Sequence, residues 1–215
     1  MQEILVLGDS HTPVFNHLLF KQAFPDLFFN VVTVIGATAS GLENPNSKTQ
    51  AYPIFRTAIK NSSAKQAIIM LGEVDTGFVI WYRAQKYQES VTAMMDKAIA
   101  SYSNFLTELK TQVKVICIST PLPTIQDGNN WGDIANARRE VTASQKERTA
   151  LTLAFNRTIA DFCKQNGIHY IMLDDLSLGE HGVVKAELLN NDVSNHHYDP
   201  DQYSRLLVEG LAAVI

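Results

Sequence analysis

Short apolar runs alternate along the chain with segments of helical periodicity, and this alternation limits the fold more than any other feature of the sequence. The runs that read as strands are residues 3–8, 31–36, 66–72, 113–120 and 169–173. Each is rich in Val, Ile or Leu without clean polar alternation, the pattern of a strand covered on both faces. Three of them close on a glycine (Gly8, Gly36, Gly72), which allows a sharp turn at the strand's carboxyl end. Between the strands, helices are predicted over 13–24, 51–60, 87–110, 142–166 and 201–214. In the fourth, Leu151, Phe155, Ile159 and Phe162 share one stripe, while Arg148, Arg157 and Lys164 lie off it. Gly167 is placed to stop that helix, and Pro200 and Asp201 to start the last one. Strands alternating with helices predict parallel strands joined by right-handed crossovers. The expected fold is therefore a three-layer α/β/α sandwich on a five-stranded parallel sheet, with residues 1–215 forming a single domain.

Composition removes several functional classes. With 46% apolar and 19% charged residues, the chain is neither disordered nor collagen-like. The formal net charge of −4 and the scattered basic residues give no electrostatic footprint for nucleic acid. Cys117 and Cys163 fall in apolar surroundings and read as buried thiols rather than a disulfide framework. There is no basic n-region, and no run of about 18 apolar residues that could span a bilayer. The expectation is a soluble cytoplasmic protein with neither a nucleic-acid nor a membrane partner.

In a parallel sheet, ligands bind beyond the carboxyl ends of the strands. That places chemistry in the loops 9–12, 37–47, 73–83, 121–137 and 174–199. The segment 126–136 is polar, carries Trp131, and suits a lid or substrate loop. The sharpest local signal is Gly8-Asp9-Ser10-His11, directly after the first strand. A serine on a strand-to-helix turn lifts its hydroxyl to the sheet's edge, where helix N–H groups can stabilise an oxyanion. The same residues also suit a helix cap, with Pro13 early in the helix.

Further positions bear on that choice. Gly41 lies after the second strand, Gly72-Glu73-Val74-Asp75 ends the third, and His196-His197 precedes the last helix. In order and placement these blocks resemble the SGNH (GDSL) hydrolase superfamily, across residues 8–203. The Gly-Glu-Val-Asp block resembles a divergent subgroup with Gly-Glu-Ile/Val-Asp in place of Gly-x-Asn-Asp, as does the stretch 148–173. The resemblance implies a flavodoxin-like SGNH fold with Ser10 as nucleophile. It also implies oxyanion donation from the backbone N–H groups of Ser10 and Gly41, and a general base at His197. Pro200 and Tyr203 follow His197 as in the family's His-x-x-Pro-x-x-Tyr continuation, although His196 is one step away.

Two positions depart from the pattern. The oxyanion asparagine falls at Val74, which has no side-chain donor, and Asn44 and Asn46 are the neighbouring substitutes. The late aspartate falls at Ser194, which leaves Asp192 as the nearest carboxylate upstream.

Asp9, His11, Glu73, Asp75, Arg83, Trp131 and His196 are the remaining candidate pocket residues. Glu73 and Asp75 read either as an acid–base pair or as carboxylates that order a loop. Trp81, Tyr82 and Arg83, after Phe78, read either as a sugar- or carboxylate-binding cluster or as a seal on the core. Asp192, His196, His197 and Asp199 lack metal-ligand spacing, and no Walker or Gly-x-Gly-x-x-Gly motif is present. The function implied is a serine-dependent ester hydrolase that needs no metal or cofactor and acts on a small-molecule or glycan ester. An acyltransferase with the same serine and a catalytically weakened binding or assembly module are the alternatives.

Overall fold

The computed structural model describes residues 1–128 and 141–215. Five strands, β1 (Gln2–Gly8), β2 (Leu27–Thr33), β3 (Gln66–Met70), β4 (Lys114–Ile118) and β5 (His169–Ile171), form one all-parallel sheet in the order β2-β1-β3-β4-β5. The helices are α1 (Leu18–Ala23), α2 (Ala51–Asn61), α3 (Ile80–Tyr87), α4 (Val91–Leu109), α5 (Gln145–Gln165), α6 (Asp174–Ser177) and α7 (Pro200–Ala212). They cover both faces of the sheet, as the three-layer expectation requires.

The period-2 geometry of β1 shows how the layers form. Leu5 and Leu7 point into one core with Phe55, Tyr102, Phe105 and Phe155 from α2, α4 and α5. Ile4 and Val6 point into the opposite core with Phe15, Phe20, Leu207 and Leu211 from the chain's first and last helical segments. All four β1 side chains are fully buried, which is why the run lacks polar alternation.

Three elements differ from the sequence expectation, each for a local reason. The first helix is split into a 3-10 segment, Thr12–Asn16, and α1, because His17 is extended between them and caps α1 through Leu19 N–H. β2 begins earlier than expected, at Leu27, because Phe29 joins Phe15, Phe20 and Phe24 in an aromatic cluster and Asn30 donates to Glu3. The helix predicted over 87–110 starts only at Val91, as α4, and α3 precedes it over Ile80–Tyr87, reaching into the expected loop 73–83. Gln88 takes a left-handed conformation (φ 54°) that ends α3, and the Ser90 hydroxyl caps α4 by accepting from Ala93 N–H.

Register places the sheet's carboxyl edge at one level. Gly8 pairs with Thr33 on one side and Met70 on the other, so residues 9–12 and 71–76 emerge side by side. Gly8 has no alternative there, because a Cβ would be driven into the Met70 carbonyl oxygen and the Thr12 methyl. Gly72 is held at φ +126°, where a Cβ would meet Thr120 Oγ1 and the Phe155 ring.

Candidate active site

Ser10 sits in the turn that follows β1, and hydrogen bonding fixes that turn. Thr12 donates both its N–H and its hydroxyl to the Asp9 carbonyl, at 3.2 and 2.9 Å, and its hydroxyl also meets the Thr33 hydroxyl of β2 at 2.7 Å. The histidines come from the far end of the chain. Residues 188–199 are pinned by an antiparallel bridge between Leu189 and Tyr198 and by the Asp199 N–H bond to the Leu188 carbonyl. Two contacts tie the segment to the loop after β4. The Tyr198 hydroxyl accepts from Leu122 N–H at 2.7 Å, and the Thr124 hydroxyl donates to the His196 carbonyl.

These anchors bring His197 Nε2 to 2.9 Å from Ser10 Oγ. The other ring nitrogen, Nδ1, lies 2.8 Å from Asn195 Oδ1. The same oxygen accepts the His197 main-chain N–H at 3.0 Å, and that contact decides the protonation pattern. A backbone N–H can only donate, so the Asn195 amide must present its oxygen, and Nδ1 must then carry the hydrogen. In the neutral ring Nε2 is therefore bare and accepts from the Ser10 hydroxyl. This is the tautomer a general base requires.

Asp192, the carboxylate expected behind the histidine, is placed otherwise. It is exposed and accepts from the N–H and hydroxyl of Ser194, which holds its carboxyl below the usual range. Asn195 takes the position instead, and the sequence reading passed over it. The signal was present: an Asx residue two positions before a histidine can accept from both the main-chain N–H and Nδ1. The same pattern occurs in Asp9-Ser10-His11. There Asp9 Oδ1 accepts the His11 N–H at 3.0 Å and lies 2.9 Å from His11 Nδ1. This second pair is buried, with Asp9 at 1% and His11 at 4% exposure. The His11 ring packs edge-on to His197 at 4.6 Å, and His196 lies 4.1 Å from His197 on a tilted face.

The other predicted residues have local partners of their own. Gly41 belongs to the 3-10 turn Ala39–Gly41, and its N–H donates to the Thr38 carbonyl at 3.1 Å. It lines a separate cavity of about 350 Å³ with Tyr52, Phe105 and Glu108. Asn44 and Asn46 are both exposed, and the Asn44 side chain accepts from Asn46 N–H rather than turning inward.

Asp75 is fully buried and accepts the N–H groups of Ala39 and Ser40 at 2.6 and 3.1 Å. Burial pushes its carboxyl up to about 6 despite those bonds and the nearby Arg83 guanidinium. Its place is thus to order the turn that carries Gly41. Glu73 is buried as well, close enough to Tyr198 for its charge to help raise that phenol, after the larger effect of burial. Trp81 donates to the Thr76 carbonyl and Tyr82 stacks on Phe78, so this cluster closes the turn before α3. Trp131 and most of the segment 126–136 lie outside the described residues.

Beside Ser10 is a cavity of about 520 Å³. Pro13, Val14, Tyr198 and Tyr203 give it apolar walls, and Asn16, Asn190 and Asn195 supply amides. Among the described residues, no lysine or arginine lines it. Among the described residues, no three His, Cys, Asp or Glu side chains converge to hold a metal ion, and no helix is long and apolar enough to cross a membrane.

No protein-family model matches the chain, and no curated protein is significantly similar to it in sequence. Solved structures are similar in shape. A GDSL-like lipase from Bacteroides thetaiotaomicron superposes with a TM-score of 0.65 at 17% identity, over 100% of this chain and 89% of the other. An extracellular lipase from Streptomyces rimosus gives 0.60 at 16% identity, over 100% of both chains. An acetyl xylan esterase gives 0.59 at 13% identity, over 99% of this chain and 100% of the other. The fold is that of the GDSL (SGNH) hydrolases.

Proposed function

We propose that the protein is a serine-dependent carboxylic ester hydrolase that works through an acyl-enzyme. The observation that carries this reading is the Ser10–His197–Asn195 chain of hydrogen bonds, with the base in the competent tautomer at the carboxyl edge of the sheet. In the first half-reaction Ser10 Oγ attacks the ester carbonyl while its proton passes to His197 Nε2. The carbonyl π electrons move to oxygen, and the Ser10 main-chain N–H meets that charge in this reading. When the carbonyl re-forms, the C–O bond to the alcohol breaks and His197 returns the proton to the leaving oxygen. Water, deprotonated by the same nitrogen, then attacks the acyl-serine, the bond to Ser10 Oγ breaks, His197 returns the proton to that oxygen, and the acid leaves.

The cavity favours an uncharged substrate. Its amides suit the hydroxyls of a sugar or small polyol, and its apolar walls suit a short acyl chain. The likeness to an acetyl xylan esterase accords with this class. A second reading, a weakened binding or assembly module, is favoured by two observations: Gly41 N–H is already bonded to Thr38, and Val74 offers no side-chain donor. Losing one oxyanion donor typically costs about 10²–10³ in rate.

Hydrolysis of p-nitrophenyl esters separates the two. The hydrolase reading predicts turnover of the acetate in preference to the octanoate, reduced to background by Ser10→Ala. Turnover that survives unchanged in Ser10→Ala contradicts it, and binding of acetylated glycans without any turnover favours the second.

A further inference from the structure

Two Asx–His pairs lie beside Ser10, and they differ in charge. Asn195–His197 is half-exposed and its acceptor is neutral. Asp9–His11 is buried, its acceptor is a carboxylate, and its ring edge meets His197 at 4.6 Å. A hydrolase of this design forms an imidazolium on His197 in each transition state, and Asn195 brings no negative charge to oppose it. We propose that Asp9–His11 does so: His11 is a positioning residue that braces the His197 ring and sets the Asp9 carboxylate one imidazole away from it. This inference rests on the hydrolase reading of the same site.

The physics favours the assignment. Asp9 and His11 are almost wholly removed from water, so their field on His197 is weakly screened. The hydrogen on His11 Nδ1 points at the carboxylate, which polarises the ring and leaves its far side more negative. Other titratable groups also face this part of the molecule. His196 is a second imidazole, which opposes a cation when it is itself protonated. Across the cavity, Asp201 on α7 is paired with His17 Nε2 at 2.9 Å, and Asp199 accepts Gln202 N–H as the cap of α7. Tyr203, packed behind the site, feels the Asp9 charge as one of the causes that push its phenol up, after burial and Tyr198.

The sign follows from the charge. A nearby carboxylate favours protonated His197. Removing it makes the ring a weaker base, so the acid limb of the rate profile moves to lower pH while the plateau falls. The test is the rate at which a fluorophosphonate probe modifies Ser10, measured from pH 4 to 9 in the full-length protein. Asp9→Asn keeps the size and an acceptor for His11. It is expected to shift the acid limb down by about one pH unit and slow the plateau about tenfold. His11→Phe keeps a ring against His197 and leaves the Asp9 carboxylate in place, so slower labelling is expected with an acid limb that moves less than in Asp9→Asn.

A folded Asp9→Asn variant that labels more slowly with its acid limb unmoved shows a merely structural pair and overturns the inference. So does failure of both variants to fold. Absence of Ser10 labelling in the wild type, by contrast, removes the hydrolase reading itself.

Discussion

At the scale of single residues, the unusual member of the site is Asn195. Its amide oxygen does two jobs at once, accepting the His197 N–H and fixing the Nδ1 hydrogen. An amide can orient the ring as a carboxylate does, but it cannot stabilise the imidazolium by charge. Asn195→Asp therefore adds what the site lacks, and kcat/KM for p-nitrophenyl acetate is predicted to rise, by about tenfold at neutral pH. Asn195→Ala removes the orientation and is predicted to lower kcat about 10- to 100-fold with little change in KM. Steady-state kinetics on the two variants checks both. Ser10, His197 and His11 were legible in the sequence because each lies in a short motif at a strand end or before a helix. Asn195 was not, because the family's late motif carries a carboxylate three residues before the histidine, whereas an Asx turn works with an amide two residues before it.

At the scale of elements, buried polar groups hold the loops that the sheet presents. Asp75 joins the turn after β3 to the turn Ala39–Gly41, and truncating it leaves two N–H groups without their acceptor. Asp75→Ala is predicted to destabilise the protein by about 1–3 kcal/mol in urea unfolding.

Its ionisation has a definite sign. The folded-state value of about 6 lies above the ordinary 3.8, so the folded protein holds this proton more tightly than the unfolded chain. That contribution to stability is complete below about 3.8 and is lost as pH rises through about 6. Asp174, raised to about 6 chiefly by burial while it accepts from Asn156, acts in the same direction. Glu3, lowered to about 2 by bonds from Ser63, Asn30 and Ser62, acts in the opposite one, and its contribution is lost as pH falls below 4.5. Asp75→Asn is predicted to flatten the fall in stability between pH 4 and 6. Unfolding curves across that window that keep the wild-type slope contradict this.

The element boundaries explain what the sequence could not reveal. Periodicity runs straight through Gln88 and His17, where a left-handed residue and an extended one interrupt the helices. Those breaks are set by capping bonds and tertiary neighbours rather than by pattern.

At the scale of the whole molecule, Ser10 and His197 come from opposite ends of the chain and meet because the first and last helical segments share one core. Phe15 and Phe20 pack with Leu207 and Leu211 against the β1 face that carries Ile4 and Val6, and the His17–Asp201 pair ties the two segments at the rim. That placement was foreseeable in outline, since alternating strands and helices bring every β-strand's carboxyl end to one edge. The sequence separation of 187 between the serine and the base is thus closed by the fold itself.

The central claim is that this closure makes Ser10 a nucleophile. It is tested most directly by mapping where a fluorophosphonate probe attaches, using peptide mass spectrometry on the wild type, Ser10→Ala and His197→Ala. The account predicts modification at Ser10 in the wild type, none in Ser10→Ala, and labelling slowed at least about 100-fold in His197→Ala. Equal labelling of all three proteins, or attachment at another residue, contradicts it.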